Sequence, residues 1–140
     1  MWNMLSEFLS IREIVGQNFG YDSAHYKYLN YMKDSDLMDV LNSTEYVSCL
    51  REHEGFEMLG VEGLFCGTRP IVFDLPTYQW YRGHGIFIKQ DENIVDSLVD
   101  VLSKKPNPVG EEEYKIILEK FSWENIIDNI FNRIKEAYNG

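Results

Sequence analysis

The apolar positions of the first half of the chain alternate between helical spacing and short continuous runs. A helical period covers residues 2–15 and stops at Gly16, and a second begins at Asp34 or Ser35 and ends at residue 42. Between them, residues 25–32 alternate tyrosines with polar side chains, which predicts a partly exposed strand. Residues 45–50 form a short apolar run, which is typical of a buried parallel strand.

The second half repeats this alternation. Apolar runs at 70–74 and 86–88 predict two more buried strands, and residues 77–82 predict a short aromatic helix between them. Helices are expected from Asp91 or Asn93 to residue 102, from Glu111, and after a cap at Ser122. The acids Glu111 to Glu113 favour the dipole of the helix that they open and are expected to be solvated. Strands thus alternate with helices from about residue 25 to 102. The pattern predicts an α/β fold whose mostly parallel sheet is covered on both faces and connected by right-handed crossovers.

Residues 51–74 carry the clearest candidate chemistry. Glu54 precedes a predicted helix that starts near residue 57 or 58, and Glu62 lies inside that helix. The first N–H groups of a helix lack intrahelical partners, so they and the helix dipole favour an anion such as a diphosphate. Gly55 permits close approach of a ligand to the backbone, and Glu62 leans back over the first turn. Both carboxylates could therefore face one ligand, although an acid near a helix start is also ordinary dipole chemistry and a helical Glu is usually solvated.

Composition narrows the classes of function. One hundred and forty residues suit a single domain spanning 1–140, and a formal net charge of −10 argues against non-specific binding of nucleic acid or anionic membranes. No apolar run is long enough for a transmembrane segment, and no secretory pattern follows Met1. Cys49 and Cys66 are expected to be reduced core thiols, and the three histidines have no metal-ligand spacing. Together these features predict a cytoplasmic protein.

Several short motifs follow one another along residues 26–138. They are Glu54-Gly55-Phe56, Glu62, Cys66-Gly67-Thr68, Pro70-Ile71-Val72, Gly83-His84-Gly85 and Phe121-Ser122-Trp123-Glu124. In this order they resemble the E-G-F-G…E-A…C-G-x-P-V-V, G-x-G and F-S-W-E motifs of the retaining nucleotide-sugar glycosyltransferases of GT-B fold, known as glycosyl transferases group 1. No single motif is specific, and the order of many carries the resemblance.

The resemblance implies that this chain is the C-terminal half of a GT-B fold, a Rossmann-like three-layer α/β/α domain that binds a nucleotide-diphosphate sugar. Glu62 would bind the ribose hydroxyls. Glu54, the implied catalytic residue, would contact hydroxyls of the transferred sugar without acting as an assigned nucleophile. The sugar and diphosphate would meet the backbone of Gly55, Phe56, Met58 and Leu59. The family uses no metal, so no cofactor is expected beyond the donor substrate.

Three features depart from the family pattern. Residues 1–24 lack the Gly-Arg and Lys that neutralise the diphosphate, although Arg51, Arg69 or Arg82 could replace them if these arginines are not simply solvated. Glu57 stands where the family has a small residue, and its carboxylate would repel a diphosphate unless it faced solvent. The acceptor-binding N-terminal domain has no counterpart in residues 1–140. We therefore expect the chain to be inactive alone and to need that domain or a protein partner that supplies it.

A non-catalytic interaction module, or a remnant of the fold, is the alternative function. Its candidate contact surface would consist of six aromatic residues, which core and rim packing could also explain; these are Tyr26, Tyr28, Tyr31, Tyr78, Trp80 and Tyr81. A glycosidase is a more distant third possibility, because its two glutamates would have to lie roughly 5–9.5 Å apart across a sugar cleft.

Overall fold

A computed structural model describes residues 13–14, 27–29, 31–53 and 55–139 of the chain. The elements in order are β1 (Glu13–Ile14), β2 (Lys27–Tyr28), α1 (Asp34–Asn42), β3 (Tyr46–Cys49), α2 (Met58–Phe65), β4 (Arg69–Phe73), a 3-10 helix (Pro76–Tyr81), β5 (Ile86–Ile88), α3 (Ile94–Leu102), α4 (Glu111–Phe121) and α5 (Trp123–Asn139). Within these residues, no helix combines the length and the apolar character that crossing a bilayer requires.

The centre of the molecule is a small open sheet of three parallel strands in the order β3-β4-β5. Tyr46 of β3 is opposite Arg69 of β4, and Ile71 of β4 is opposite Ile86 of β5. The predicted α/β class and parallel pairing are confirmed. The helices and strands predicted between residues 34 and 102 lie within a few residues of their expected bounds.

The N-terminal part of the prediction is partly wrong. Glu13 and Ile14 were expected to end a helix, but they form β1, which pairs in parallel with β2. Local periodicity is a weak signal that a pairing partner elsewhere in the chain overrides. Of the described residues in the strand predicted over 25–32, only Lys27 and Tyr28 form a strand, and it pairs with β1 instead of joining the three-stranded sheet. Residues 1–12, which carry most of the predicted first helix, lie outside the described residues.

Successive strand residues point to opposite faces, so β4 feeds two hydrophobic clusters. Val72 packs in the larger cluster, which includes Leu64 of α2 and Ile117 of α4. Ile71 packs on the other side with Ile88 and Leu98 of α3. Every residue of β4 is buried, as expected for a central parallel strand. Helices therefore cover both faces of the sheet.

The amino end of β4 is fixed by Arg69, whose guanidinium is buried. It forms a bidentate pair with Glu113 of α4, with N···O distances of 2.5 and 2.7 Å. It also donates to the carbonyl oxygens of His84, Asn107 and Pro108. Nδ1 of His84 lies 3.1 Å from the same Glu113 carboxylate. Neither Arg69 nor Glu113 is the solvated surface residue that the sequence suggested, because β4 begins inside the protein and α4 brings an acid to it.

Two hydroxyl groups fasten helix ends at the same edge. Oγ1 of Thr68 is buried and lies 2.6 Å from the carbonyl oxygen of Leu41 and 3.0 Å from that of Thr44, at the end of α1. The hydroxyl of Tyr46 lies 2.7 Å from the carbonyl oxygen of Lys104 and 3.1 Å from that of Val101, at the end of α3. These contacts add a hydrogen-bond partner for carbonyl groups at or just beyond the ends of two helices, where intrahelical donors are lacking.

We expect Glu113→Gln to lower the free energy of unfolding by about 2–4 kcal/mol, because it leaves the buried Arg69 charge without its counterion. Urea denaturation at neutral pH measures this change. Glu112→Gln is the matched control, since Glu112 is exposed and pairs only with the exposed Lys115 among the described residues. Equal stability of the two variants would contradict the role assigned to Glu113.

The same pair predicts a pH dependence. Hydrogen bonds from Arg69 are the main cause that holds the pKa of Glu113 below its ordinary value of 4.5. A carboxyl group with a lowered folded-state pKa stabilises the fold above its unfolded-state pKa, and that stabilisation is lost as the pH falls through the folded-state value. Wild-type protein should therefore lose stability below about pH 4.5. The Glu113→Gln variant should not show this part of the decrease in the free energy of unfolding when urea denaturation is repeated at several pH values below and above 4.5.

Candidate functional site

The carboxyl ends of the three parallel strands meet at one edge of the sheet, and the loop after β3 is held there at two points. The Tyr78 hydroxyl donates to the backbone oxygen of Arg51 at 2.9 Å. The Tyr81 hydroxyl donates to the backbone oxygen of Glu57 at 2.5 Å. Both tyrosines belong to the 3-10 helix that follows β4. The loop that carries the candidate residues is therefore anchored by the neighbouring connection.

A third contact comes from the segment after β5, where the Gln90 side-chain amide donates to the Glu52 carboxylate. Residues from all three strand-to-helix connections thus touch at this edge. In open α/β sheets this is the edge at which ligands bind. These contacts give the side chains and backbone groups of residues 50–62 a defined position, although residues 50–57 lie in a loop and not in a helix or strand.

Helix α2 begins at Met58, as the sequence predicted. Glu57 precedes it with extended backbone angles (φ −82°, ψ 92°), and within the described chain its side chain makes no capping hydrogen bond to the first turn. The N–H groups of that turn point back toward residues 55–57. This geometry is compatible with an anion at the start of the helix, and by itself it does not identify one.

Two glycines allow α2 to lie directly on β3 and Tyr81. A Cβ atom added at Gly60 would lie 2.5 Å from the Tyr81 hydroxyl oxygen and 3.1 Å from Cys49 Sγ. One added at Gly63 would lie 2.9 Å from a methyl carbon of Val47. Because these distances are too short for a side chain, glycine at both positions sets how closely the helix approaches the sheet. The start of α2 is thereby fixed relative to the carboxyl end of β3.

Glu57 turns toward the protein interior, and only 5% of the residue is exposed. One of its carboxylate oxygens lies 3.7 Å from Nε of Arg51. From the sequence, we expected the Glu57 carboxylate to avoid repelling a bound diphosphate only if it faced solvent. The structure has a different arrangement, in which the acid is buried and balanced by an arginine whose side chain is 63% exposed.

Besides Arg51, the side chains of Cys49 and Tyr81 interact with Glu57, and both are uncharged at physiological pH. Burial raises the pKa of the Cys49 thiol to about 12, with a further contribution from Glu57. Burial likewise raises the pKa of Tyr81, with smaller contributions from Cys49 and Glu57. Tyr81 therefore stays a hydrogen-bond donor, and Cys49 has none of the thiolate character of a nucleophile. Both side chains are structural parts of this edge.

The structure describes five of the six predicted site residues. Gly55, Phe56, Met58 and Glu62 are exposed, and Leu59 is half-buried against the core. Met58 and Glu62 lie one turn apart and share the exposed side of α2. Glu54 lies outside the described residues. The relative position of the two carboxylates, Glu54 and Glu62, therefore stays a prediction.

The three candidate arginines have different environments. Arg69 is buried at the amino edge, far along β4 from this site. Arg82 pairs with Asp74 and stacks 3.9 Å above the Phe87 ring, so it has a structural role. Arg51 alone of the three combines a largely exposed guanidinium with a position in the loop before α2.

The six aromatic residues do not form one contact surface. Tyr78 and Tyr81 are completely buried, and Trp80 is half-buried with its ring 4.6 Å from that of Phe56. Tyr31 is exposed, whereas Tyr26 and the side chain of Tyr28 lie outside the described residues. For the 3-10 helix, core packing is therefore the correct interpretation. No feature of the sequence predicts the two tyrosine-to-backbone bonds, whereas the spacing of Gly60 and Gly63, one turn apart, is a feature that could have indicated close helix packing.

Among the described residues, no group of three or more His, Cys, Asp or Glu side chains could hold a metal ion. Cys49 and Cys66 are free thiols, and Cys49 is a core residue as predicted. A scan against models of known protein families finds no match, and a search of curated proteins finds no significant relative. Any assignment of function therefore depends on the residues themselves.

We expect Gly60→Ala to destabilise the fold by about 2 kcal/mol, because the new methyl group overlaps the buried Tyr81 hydroxyl, despite the better helix propensity of alanine. The midpoint of urea unfolding measures this effect. Gly110→Ala is the control: an added Cβ there meets no heavy atom of the described residues within 4 Å, so its effect should stay within about 1 kcal/mol. A Gly60→Ala protein at least as stable as wild type would refute the close packing.

Proposed function

We propose that this chain is the donor-binding half of a retaining GT-B glycosyltransferase and that it binds a nucleotide-diphosphate sugar at the carboxyl edge of its sheet. The main support is the position of the motif-bearing unit. The loop after β3 and the start of α2 lie where ligands of open α/β sheets bind, and Gly55, Phe56, Met58 and Glu62 are accessible there. The ordered series of sequence motifs is the reason for proposing a nucleotide-diphosphate sugar as the ligand.

In this proposal the diphosphate lies against the first turn of α2, where backbone N–H groups and the helix dipole stabilise negative charge. Arg51 is the nearby cation, and Glu57 holds its guanidinium within 3.7 Å. During transfer the bond between the sugar carbon and the diphosphate oxygen breaks, and the leaving group gains charge. Groups already aligned with that oxygen lower the barrier without reorganising.

The two acids recognise hydroxyl groups. Glu62, exposed on α2, accepts hydrogen bonds from the ribose, and Glu54 contacts the transferred sugar. The acceptor would come from the other half of the enzyme, either an N-terminal domain or a protein partner. The proposal therefore concerns donor binding by this chain, and complete transfer requires that second half.

We expect Glu62→Ala to weaken binding of UDP, GDP or their sugars by about tenfold or more, since each lost charged hydrogen bond costs roughly 1.5–3 kcal/mol. Isothermal titration calorimetry on the isolated chain measures the affinities. Glu119→Ala, an exposed glutamate on α4, is the matched control and should bind like wild type. Equal affinities of wild type and Glu62→Ala would show that Glu62 is not a ligand-binding residue.

The Gly55→Ala variant distinguishes an effect on ligand affinity from an effect on the stability of the fold. A Cβ at Gly55 meets no heavy atom of the described residues within 4 Å, so the variant should keep wild-type stability. Because the methyl group would stand between the backbone and a bound sugar, nucleotide-sugar affinity should fall by at least about tenfold. Calorimetry and urea unfolding on the same preparation check the two halves of this prediction. Unchanged affinity would contradict a close approach at Gly55.

A non-catalytic interaction module is the second candidate, and the exposed apolar side of α5 is the observation that favours it. Trp123, Ile127 and Phe131 are each at least half exposed there. A thermal-shift screen of nucleotide diphosphates and their sugars distinguishes the two functions. Stabilisation by any of these ligands supports donor binding, and the absence of stabilisation across the whole set supports the interaction module.

A further inference from the structure

Helix α5 projects from the domain with an apolar stripe along it. Every residue from 127 to 138 is exposed. At 3.6 residues per turn, six large apolar side chains of α5 fall within an arc of roughly 100°. They are Trp123, Ile127, Ile130, Phe131, Ile134 and Tyr138, with exposures from 50% to 88%.

The helix is attached to the domain mainly at its start. The Asn125 backbone N–H donates to Oγ of Ser122, and the Asn125 side-chain amide donates to the carbonyl oxygen of Glu119. Beyond this point, a helix of 17 residues that is exposed all round gains little from tertiary packing. A stripe of this size is typical of an interaction surface.

The stripe is nearly symmetric about the midpoint between Ile130 and Phe131. Trp123 and Tyr138 are equally distant from this midpoint along the chain, and so are Ile127 and Ile134. A twofold axis through the midpoint would therefore place each apolar residue opposite another on a second, antiparallel copy. This self-complementarity is the property that a twofold interface requires.

The charges beside the stripe select the same orientation. Glu124, Asp128 and Lys135 project on one side of it, and none of them forms an ion pair with another described residue. An antiparallel pair puts Lys135 of one helix between Glu124 and Asp128 of the other, twice in each dimer. In a parallel twofold pair this side of one helix would instead face the other side of its partner, so Lys135 would not meet Glu124 or Asp128 of the second copy.

We propose that α5 is a homodimerisation helix that pairs antiparallel with α5 of a second copy, through the apolar stripe and the two Lys135–acid contacts. This proposal is independent of the donor-binding function, because it depends on residues 123–138 alone. Its occupant is a second copy of this chain, chosen by the symmetry of the stripe and by charge complementarity.

Sedimentation velocity over about a hundredfold range of concentration tests the proposal, because dimerisation follows mass action. Wild type should approach twice the chain mass of 16.5 kDa. Ile130→Glu places two carboxylates at the centre of the interface and should weaken dimerisation by at least about a hundredfold. Asn132→Glu adds the same charge on the opposite side of α5 and should leave dimerisation unchanged. Circular dichroism confirms that both variants fold.

A charge reversal tests the orientation. Lys135→Glu should weaken the dimer by about tenfold or more at low salt, because three acids then face three acids. Combining it with Glu124→Lys and Asp128→Lys should restore dimerisation, since every contact is reversed together. No effect of Lys135→Glu would overturn the antiparallel arrangement. A wild-type protein that stays monomeric throughout the concentration range would overturn the proposal.

Discussion

The guanidinium of Arg69 is a charge removed from water, and its position organises the amino edge of the sheet. Arginine has five N–H donors in a fixed planar arrangement, and here five acceptor contacts surround them. Three are backbone carbonyls from two loops, and two belong to the Glu113 carboxylate. A single side chain thus joins β4, the turn before β5, the connection to α4 and α4 itself. Loss of any one part leaves a buried polar group unsatisfied, which is why the packing of α4 depends on this residue.

The opposite edge is organised by different chemistry. There, neutral tyrosine hydroxyls donate to backbone oxygens of the loop after β3, and Gly60 and Gly63 bring α2 against the sheet. These two bonds hold the loop through its backbone, in addition to the side-chain contact between Gln90 and Glu52. The exposed residues Gly55, Phe56 and Glu62 are consequently available for a ligand. The amino edge of the sheet is thus buried and charged, whereas the carboxyl edge is accessible and anchored through its backbone. This difference is the structural basis of the donor-binding proposal.

The sequence predicted the sheet well, because three apolar runs separated by helical periods leave few alternatives. It predicted the start of α2 within one residue. It could not predict the pairing of Glu13 with Lys27 or the partners of Arg69, since both depend on residues distant in the chain. Arg69 and Glu113 looked like surface residues because charge normally indicates solvent. For the candidate site, the exposure of Glu62 is expected both of a ligand-binding residue and of a solvated helical glutamate, so its role stays a prediction. The inward turn of Glu57 could not be predicted without knowledge of Arg51 and Tyr81.

The close contact of α2 with β3 also creates a natural reporter. Cys49 lies beneath Gly60, is 1% exposed, and has a thiol whose pKa is raised to about 12 by burial. A thiol reagent can react there only when the helix separates from the strand and water reaches the sulfur. Cys66, at the other end of the same helix, is only half-buried. The rate at which Cys49 is modified, relative to Cys66, therefore measures how often this part of the molecule opens.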